Sequence, residues 1–390
     1  MIFFPNSITA VFRSRPNRFI VHCLVNNRLV RAYLPNPGRL HELFLPDAKL
    51  FLVQQELSQG RKIPYLVVAV ERDGLPIMLH THANNLVARH LVERNKVPGL
   101  EGAVVLKAEH AVGHSRFDFL LRHENRDVVL EVKSCTLFGN GIAMFPDAVT
   151  ERGKRHLLEL AGLADSGKAT AVLFVVHSPK PRYFMPDYHT DLEFSRTLLA
   201  VKDRIMIKAL AVEWKRDLSF GSSVRELMIP WEAIEREAQD RGSYIVVLHC
   251  AQDRRITVGD LGPIRFPKGF YCYVGSAPES LSKRVARHQH KRKRLFSHID
   301  HLREAATVTA VLPVRASRDL ACSIADALQA FADRSIPGFG SADCSCSSHL
   351  FGMAEDPLQS PEFIKALLYF RMDRLGEELD AGVTGVEAED

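Results

Sequence analysis

VVLEVKSCTL (residues 128–137) follows SRFDFLL (residues 115–121) after a short polar interval, RHENRD. Alternate side chains of a strand share a face, so Glu131 and Lys133 project together. A hairpin returning from the first segment places Asp118 beside them. Two carboxylates converging at one strand edge make a hard-oxygen site suited to Mg²⁺ (or Mn²⁺). A lysine next to such an ion can orient or deprotonate a water and stabilise charge on phosphorus, while the ion supplies Lewis acidity. The competing reading is an ordinary exposed cross-strand pair. The apolar VVLEV context argues against it, because charge on a core strand is unfavourable unless paired or metal-bound.

The flanking sequence fits an α/β core over residues 85–235. NNLVARHLVERN (84–95) has helical periodicity. The loop FGNGIAMFPDA (138–148) leads into a helix, TERGKRHLLELAGLA (150–164), and ATAVLFVVH (169–177) reads as a buried central strand. Arg152, Arg155 and His156 recur at i, i+3 and i+4, a spacing that puts them on one helix face where phosphates can be contacted. A solvated basic face is the alternative.

Residues 1–84 read as a small β-barrel built from FIVHCLV, LVRAYL, KLFLVQQ, PYLVVAV and PIMLH, punctuated by NPGR and RDG. Lys and Arg outnumber Asp and Glu about two to one here, with Arg13, Arg15, Arg18 and Arg39 among them. That balance suits a nucleic-acid platform, or a solvated surface without a partner. WEAIEREAQDRG (231–242) reads as a boundary. Beyond it lies a third domain (240–375) with strands YIVVLHC and FYCYVGSA, a basic helix SKRVARHQHKRKR (282–294), a strand ATVTAVLPV and a helix SRDLACSIADAL. In the basic stretch Arg287, Lys291 and Arg292, with His288 and His290, are candidate phosphate contacts. DCSCSSH (343–349) could hold zinc through Cys344, Cys346 and His349, with Cys322. Its C-x-C-x2-H spacing departs from the usual paired C-x2-C pattern, and small buried thiols are the alternative. The acidic end, 376–390, reads as a frayed tail.

The whole chain of 390 residues is long enough for two or three domains. With 46% hydrophobic and 25% charged residues it is neither disordered nor fibrous. No apolar run spans a bilayer, no signal-peptide pattern opens the chain, and the seven scattered cysteines suit a reducing compartment. A cytoplasmic location without a membrane partner is expected. The net charge of +5 permits a polyanionic partner without demanding one.

RPNRFIVHC, LPNPGRLHELFLPDAKL, HANNLVARHL, GHSRFDFLL, VVLEVKSCTL and FPDAVTERGKRHLLEL together resemble the sugar fermentation stimulation protein family over residues 1 to about 235. The resemblance implies an OB-like barrel followed by a PD-(D/E)xK nuclease-like core, and largely non-specific DNA binding. It places Asp118, Glu131 and Lys133 at the motif positions, with Glu109 an added acidic group. GSYIVVL, FYCYVGSA, RVARHQ, HIDHL and GFGSADCSCSSHLF resemble an uncharacterised GIY-YIG-like family over about 240–355. That resemblance implies a base or water-positioning role for Tyr244, charge stabilisation by Arg284 and an assisting Tyr273. GIY-YIG nucleases hold their metal with a helix glutamate; Ala321 stands at that position, so binding without cleavage is expected there. The expected function is a DNA-binding protein, with RNA the other polynucleotide weighed, whose central site hydrolyses phosphodiesters. The alternative is a regulatory protein without turnover, linked to sugar metabolism by family resemblance alone.

Overall fold

The structure, a computed structural model, describes residues 3–56, 63–113, 115–289 and 297–386. Two compact units emerge: residues 1–187 with 193–232, and residues 188–192 with 233–390.

In the first unit, β1 (Ile8–Asn17), β2 (Ile20–Val25) and β3 (Arg28–Tyr33) form an antiparallel meander. β4 (Lys49–Gln54) pairs with β1, and β5 (Tyr65–Arg72) with β4. A short parallel pairing, Ala32↔Tyr65 and Tyr33↔Leu66, joins β5 to β3 and closes the five-stranded barrel. β6 (Leu75–Met78) extends β5 as a hairpin. Inward positions alternate as a barrel requires, with Ala10, Phe12, Val21 and Cys23 buried. The opening strand β1 does not figure among the strands expected from the sequence. Arg13, Arg15 and Pro16 interrupt its apolar alternation, yet its ladder to β2 and β4 is complete enough to make it central.

The core follows. Helix α1 (Asn84–Glu93) precedes the strands β7 (Val104–Val112), β8 (Ser115–His123) and β9 (Arg126–Cys135). β10 (Leu137–Phe138) and β11 (Ile142–Phe145) lead into α2 (Glu151–Asp165) and β12 (Ala169–Val176). β13 (Tyr183–Pro186), α3 (Leu192–Val201), β14 (Met206–Trp214) and β15 (Phe220–Glu226) complete it. The main sheet has the order β15-β14-β12-β9-β8-β7, with β9, β12 and β14 parallel. Parallel strands are covered on both faces, which is why β12 is apolar but for the buried Thr170. α1 covers one face through Val87, Leu91 and Val92 against Leu130, Val132 and Leu173. α2 covers the other through Leu157, Leu160 and Ala161 against Val129, Val172 and Phe174. The alternation along β9 therefore turns Glu131 and Lys133 toward α2.

Helix α4 (Trp231–Glu237) occupies the segment read as a boundary, and the division between units falls inside it, after Glu232. In the second unit, β16 (Gly242–Cys250) is followed by a hairpin of β17 (Arg254–Thr257) and β18 (Pro263–Phe266). Then come β19 (Gly269–Ala277), α5 (Leu281–Gln289), α6 (His298–Ala305) and β20 (Thr307–Arg315). α7 (Ala321–Gln329), β21 (Arg334–Ser335), β22 (Leu350–Met353), α8 (Pro361–Leu368) and α9 (Arg374–Val386) finish the unit. Its antiparallel sheet has the order β20-β16-β19-β22-β21. The stretch from residue 376, expected to fray, is helical as far as Val386. The buried Arg374 at the start of that helix anchors it to the buried Glu237, 3.3 Å away. No helix of the described residues is long and apolar enough to cross a membrane.

Candidate metal and nucleic-acid sites

Asp118, Glu131 and Lys133 line one open cleft of about 970 Å³ in the first unit. Its wall includes Arg18, Asn36 and Gly38 from the barrel, Asn85 and Arg89 from α1, Arg116 from β8, and Asp147, Thr150 and Arg152 around the start of α2. Each carboxylate is held by donors from different elements. Asp118 Oδ2 accepts from the Val132 amide at 2.7 Å, and Oδ1 from Asn85 Nδ2 at 2.7 Å. Glu131 Oε1 accepts from Lys133 Nζ at 2.5 Å and from His156 Nδ1 at 2.6 Å. His156 Nε2 accepts from Arg152 Nε at 3.3 Å, which places the ring proton on Nδ1.

Glu131 Oε2, also buried, finds no hydrogen-bond partner among the described residues. Burial drives the Glu131 carboxyl up, but the His156 hydrogen bond and the Lys133 charge outweigh it, so it sits below the usual carboxylate value. Asp118 is shifted the other way: burial and the Glu131 charge exceed the help from Val132 and Asn85. Two converging carboxylates, one oxygen without a donor and one acid raised by its neighbour form a set that fits a hard divalent cation.

His156, expected at a phosphate-contacting surface, is instead 2% exposed and braces Glu131. Arg152 does reach the cleft, whereas Arg155 is exposed and lies 3.8 Å from Glu159. Glu109 lines the cleft, but its carboxylate pairs with Arg116 at 3.1 Å. Of the barrel arginines, Arg18 lines the cleft and Arg13 pairs with Asp47 at 2.5 Å. Arg15 is turned inward. It donates to the carbonyls of Arg18 at 2.8 Å, Gly38 at 2.7 Å and Arg39, and its guanidinium lies over Phe44. Arg15 therefore shapes the NPGR loop rather than offering its donors to phosphate. Arg39 is half-buried in the same loop, and its charge reaches Asp147.

Behind the cleft a network that the sequence did not single out joins β9, α1 and β14. His177 Nδ1 accepts from Trp214 Nε1 at 3.2 Å, so its Nε2 faces Asn84 Oδ1 and Ser134 Oγ as donor, each at 3.1 Å. Burial drops the His177 pKa to about 3, keeping the ring neutral. The paired asparagines of HANNL were the available signal: amides at a helix start supply an acceptor on one side, Asn84 Oδ1 toward His177, and a donor on the other, Asn85 Nδ2 toward Asp118.

In the second unit Tyr244 on β16 and Tyr273 on β19 lie with ring centroids 6.4 Å apart. Arg284 is exposed on α5, and its charge is felt at both hydroxyls. His288 and Arg287 do not serve as free surface groups. His288 is buried with Nε2 at 3.0 Å from the Tyr244 hydroxyl, and Arg287 pairs at 2.7 Å with the buried Asp300. Burial, then the neighbouring Tyr273, pushes the Tyr244 hydroxyl well above its ordinary value. Lys291, Arg292 and His290 lie outside the described residues. Asp319, near the helix position where Ala321 stands, accepts from Ser243 Oγ and from the Ala321 amide, so its carboxylate is engaged at the entry to α7. Cys322, Cys344, Cys346 and His349 come together with one ligand atom each, all within 4.8 Å of one another. All seven cysteines are free thiols.

Three family profiles match the chain. They are the SfsA N-terminal OB domain over residues 14–79, the sugar fermentation stimulation protein RE domain over 81–218, and the domain of unknown function DUF123 over 243–370. A sugar fermentation stimulation protein homolog from Methanothermobacter thermautotrophicus is 37% identical over 193 residues, covering 50% of this chain and 80% of its own length. One from Clostridium novyi is 36% identical over 231 residues, covering 59% of this chain and 98% of its own. The solved structure of Pyrococcus furiosus SfsA in complex with Ca²⁺ superposes with a TM-score of 0.54 at 27% identity, covering 59% of this chain and 99% of that one. The chain belongs to the sugar fermentation stimulation protein family, with an OB barrel and RE core followed by a DUF123 domain of the GIY-YIG-like kind.

Proposed function

We propose that the protein binds DNA largely without sequence preference and hydrolyses phosphodiesters with Mg²⁺ or Mn²⁺ at Asp118, Glu131 and Lys133. The observation that carries this reading is the buried, donorless Oε2 of Glu131 beside the raised carboxyl of Asp118, in a cleft open to a polymer. The relative crystallised with Ca²⁺ supports a hard cation as the family's ligand. Asp118 and Glu131 would hold the ion, which when bound supplies Lewis acidity and an activated water. Asn85 and the Val132 amide keep the Asp118 carboxylate from rotating, and His156 does the same for Glu131. Lys133 already contacts Glu131 Oε1 and carries further donors that can orient the attacking water and oppose charge building on phosphorus. Arg18, Arg89 and Arg152 along the cleft can take the flanking phosphates, a contact class that positions without reading bases.

In the second unit, the Tyr244 hydroxyl held by His288 and the Asp300 carboxylate engaged by Arg287 argue against cleavage, and the exposed Arg284 is the group that can meet a phosphate there. The test incubates the whole protein with plasmid, single-stranded DNA and RNA in Mg²⁺ or Mn²⁺, beside Asp118→Ala. The expected outcome is metal-dependent nicking of DNA that the variant loses while still retarding DNA in a gel. If wild type and variant are equally inert yet both retard DNA, the protein binds without turnover. Cleavage of RNA alone would replace the substrate.

A further inference from the structure

We propose that Cys322, Cys344, Cys346 and His349 bind one Zn²⁺ ion, and that this ion fixes the 338–349 loop against Tyr273. The four residues come from three places: Cys322 from the first turn of α7, Cys344 and Cys346 from the loop after β21, and His349 from the entry to β22. Tetrahedral zinc with sulfur at about 2.3 Å places its ligand atoms roughly 3.5–4 Å apart. The ligand atoms here lie within 4.8 Å of one another, and Cys344 Sγ is 3.3 Å from His349 Nε2, so a small contraction seats the ion.

The imidazole supplies an independent observation. His349 is 5% exposed, and its Nδ1 lies 3.2 Å from the Val274 carbonyl oxygen. A carbonyl only accepts, so Nδ1 carries the proton and Nε2 presents its lone pair to the three sulfurs. That outer hydrogen bond is the one a metal-bound histidine ordinarily makes to fix its tautomer. The alternative of small thiols buried for packing does not describe Cys322, which is exposed on its helix.

The same loop forms part of the tyrosine centre. The Val274 amide donates to the His349 carbonyl at 2.9 Å, and the His349 amide donates to Phe339 at 2.8 Å. Gly340, at φ +73°, lies so close to Tyr273 that an added Cβ would sit 2.9 Å from its ring. Tying Cys344, Cys346 and His349 to α7 therefore holds the backbone that backs Tyr273.

The full chain, purified under reducing conditions without metal-chelate chromatography, should contain one zinc per molecule by elemental analysis. Cys346→Ser and His349→Ala should lose it. After stripping, the wild type should take up one Co²⁺ and develop the intense visible bands and thiolate charge-transfer absorption of a tetrahedral sulfur-rich site. This reading does not depend on any variant folding. Metal removal should speed amide exchange in 338–349 and at Val274 while leaving the barrel unchanged. The proposal is overturned if the reduced, stripped protein takes up no cobalt, or if the variants hold as much zinc as wild type. It is also overturned if the unreduced chain has lost two hydrogens to a disulfide among these cysteines. Zinc binding with unaltered exchange in the loop would overturn its assigned role.

Discussion

Replacing His156 separates two roles that its place on α2 allows. As a phosphate contact, it would contribute one counterion's worth of salt dependence and nothing to metal affinity. As the brace of Glu131, it should do the reverse. The 2.6 Å bond to a buried carboxylate belongs to the charge-assisted class, worth about 1.5–3 kcal/mol. His156→Ala also empties a site that is 2% exposed, adding a cavity term of about 1–2 kcal/mol. The sum is about 2.5–5 kcal/mol, or a drop of about 5–20 °C in Tm at about 2–4 °C per kcal/mol for a unit of this size. A freed Glu131 should weaken divalent-ion dependence by about 10–100-fold, the usual effect of losing a ligand's outer partner. His156→Asn, whose amide nitrogen sits near the Nδ1 position, should recover most of the metal dependence but less of the stability. The assays are thermal melting, activity against Mg²⁺ concentration, and DNA affinity against salt. A folded alanine variant with unchanged metal dependence and a shallower salt slope would refute the bracing role.

Gly38→Ala should disturb the cleft floor, because its Cβ would fall 2.5 Å from Asp147 Oδ2, the oxygen that accepts the Leu40 amide at 2.8 Å. Losing that buried bond should destabilise the protein by about 1–3 kcal/mol, seen as a lower Tm, and reduce DNA affinity through displacement of the neighbouring Arg39. Glu237→Gln should destabilise by roughly 3 kcal/mol at neutral pH, since Glu237 is a buried partner of Arg374 and binds Ser317. Burial raises its carboxyl, but hydrogen bonds from Arg236 and Ser317 and the Arg374 charge overcome this, leaving the folded pKa below 4.5. Its contribution is thus present above that unfolded-state value and lost as pH falls through the lower folded one, so the variant's melting curve should be flatter below pH 4.5.

The Asp118/Glu131/Lys133 set was legible because strand alternation is local: two positions on one strand and a hairpin suffice to bring them together. The helix bearing His156 was equally legible, but its orientation was misjudged. Gly153, His156, Leu157, Leu160 and Ala161 form the buried stripe of α2, so the apolar spacing already put His156 on the inner side. Partners set by tertiary contact left weaker traces. Asn85 reaches Asp118 across 33 residues, and Cys322 joins Cys344 only through the path of α7. The C-x-C-x2-H spacing looked unfavourable for zinc since it shows only the local part of a four-residue set. Strand β1 was hidden for a different reason: Arg15 breaks the apolar alternation, although the fold turns its charge to backbone carbonyls.

The two units handle buried carboxylates in opposite ways, and that difference bears on where a hard divalent ion can sit, as distinct from a thiolate-bound zinc. In the second unit the Asp300 carboxylate meets Arg287 and the start of its own helix, and the Tyr244 hydroxyl meets His288. Little uncompensated negative charge remains there, and a hydroxyl pushed up by burial stays protonated and so is rarely available as a base. In the first unit, donors from α1, β9 and α2 fix both carboxylates without neutralising the pair. One Glu131 oxygen lacks a donor, and Asp118 bears the resulting repulsion. Such an arrangement is unfavourable for a metal-free fold, and a cation held by Asp118 and Glu131 would offset the repulsion. The physical case for hard-cation chemistry therefore rests on the first unit, where a divalent ion should raise Tm progressively as its concentration passes its dissociation constant. Asp118→Ala, by removing the repulsion, should leave a protein that the ion no longer stabilises.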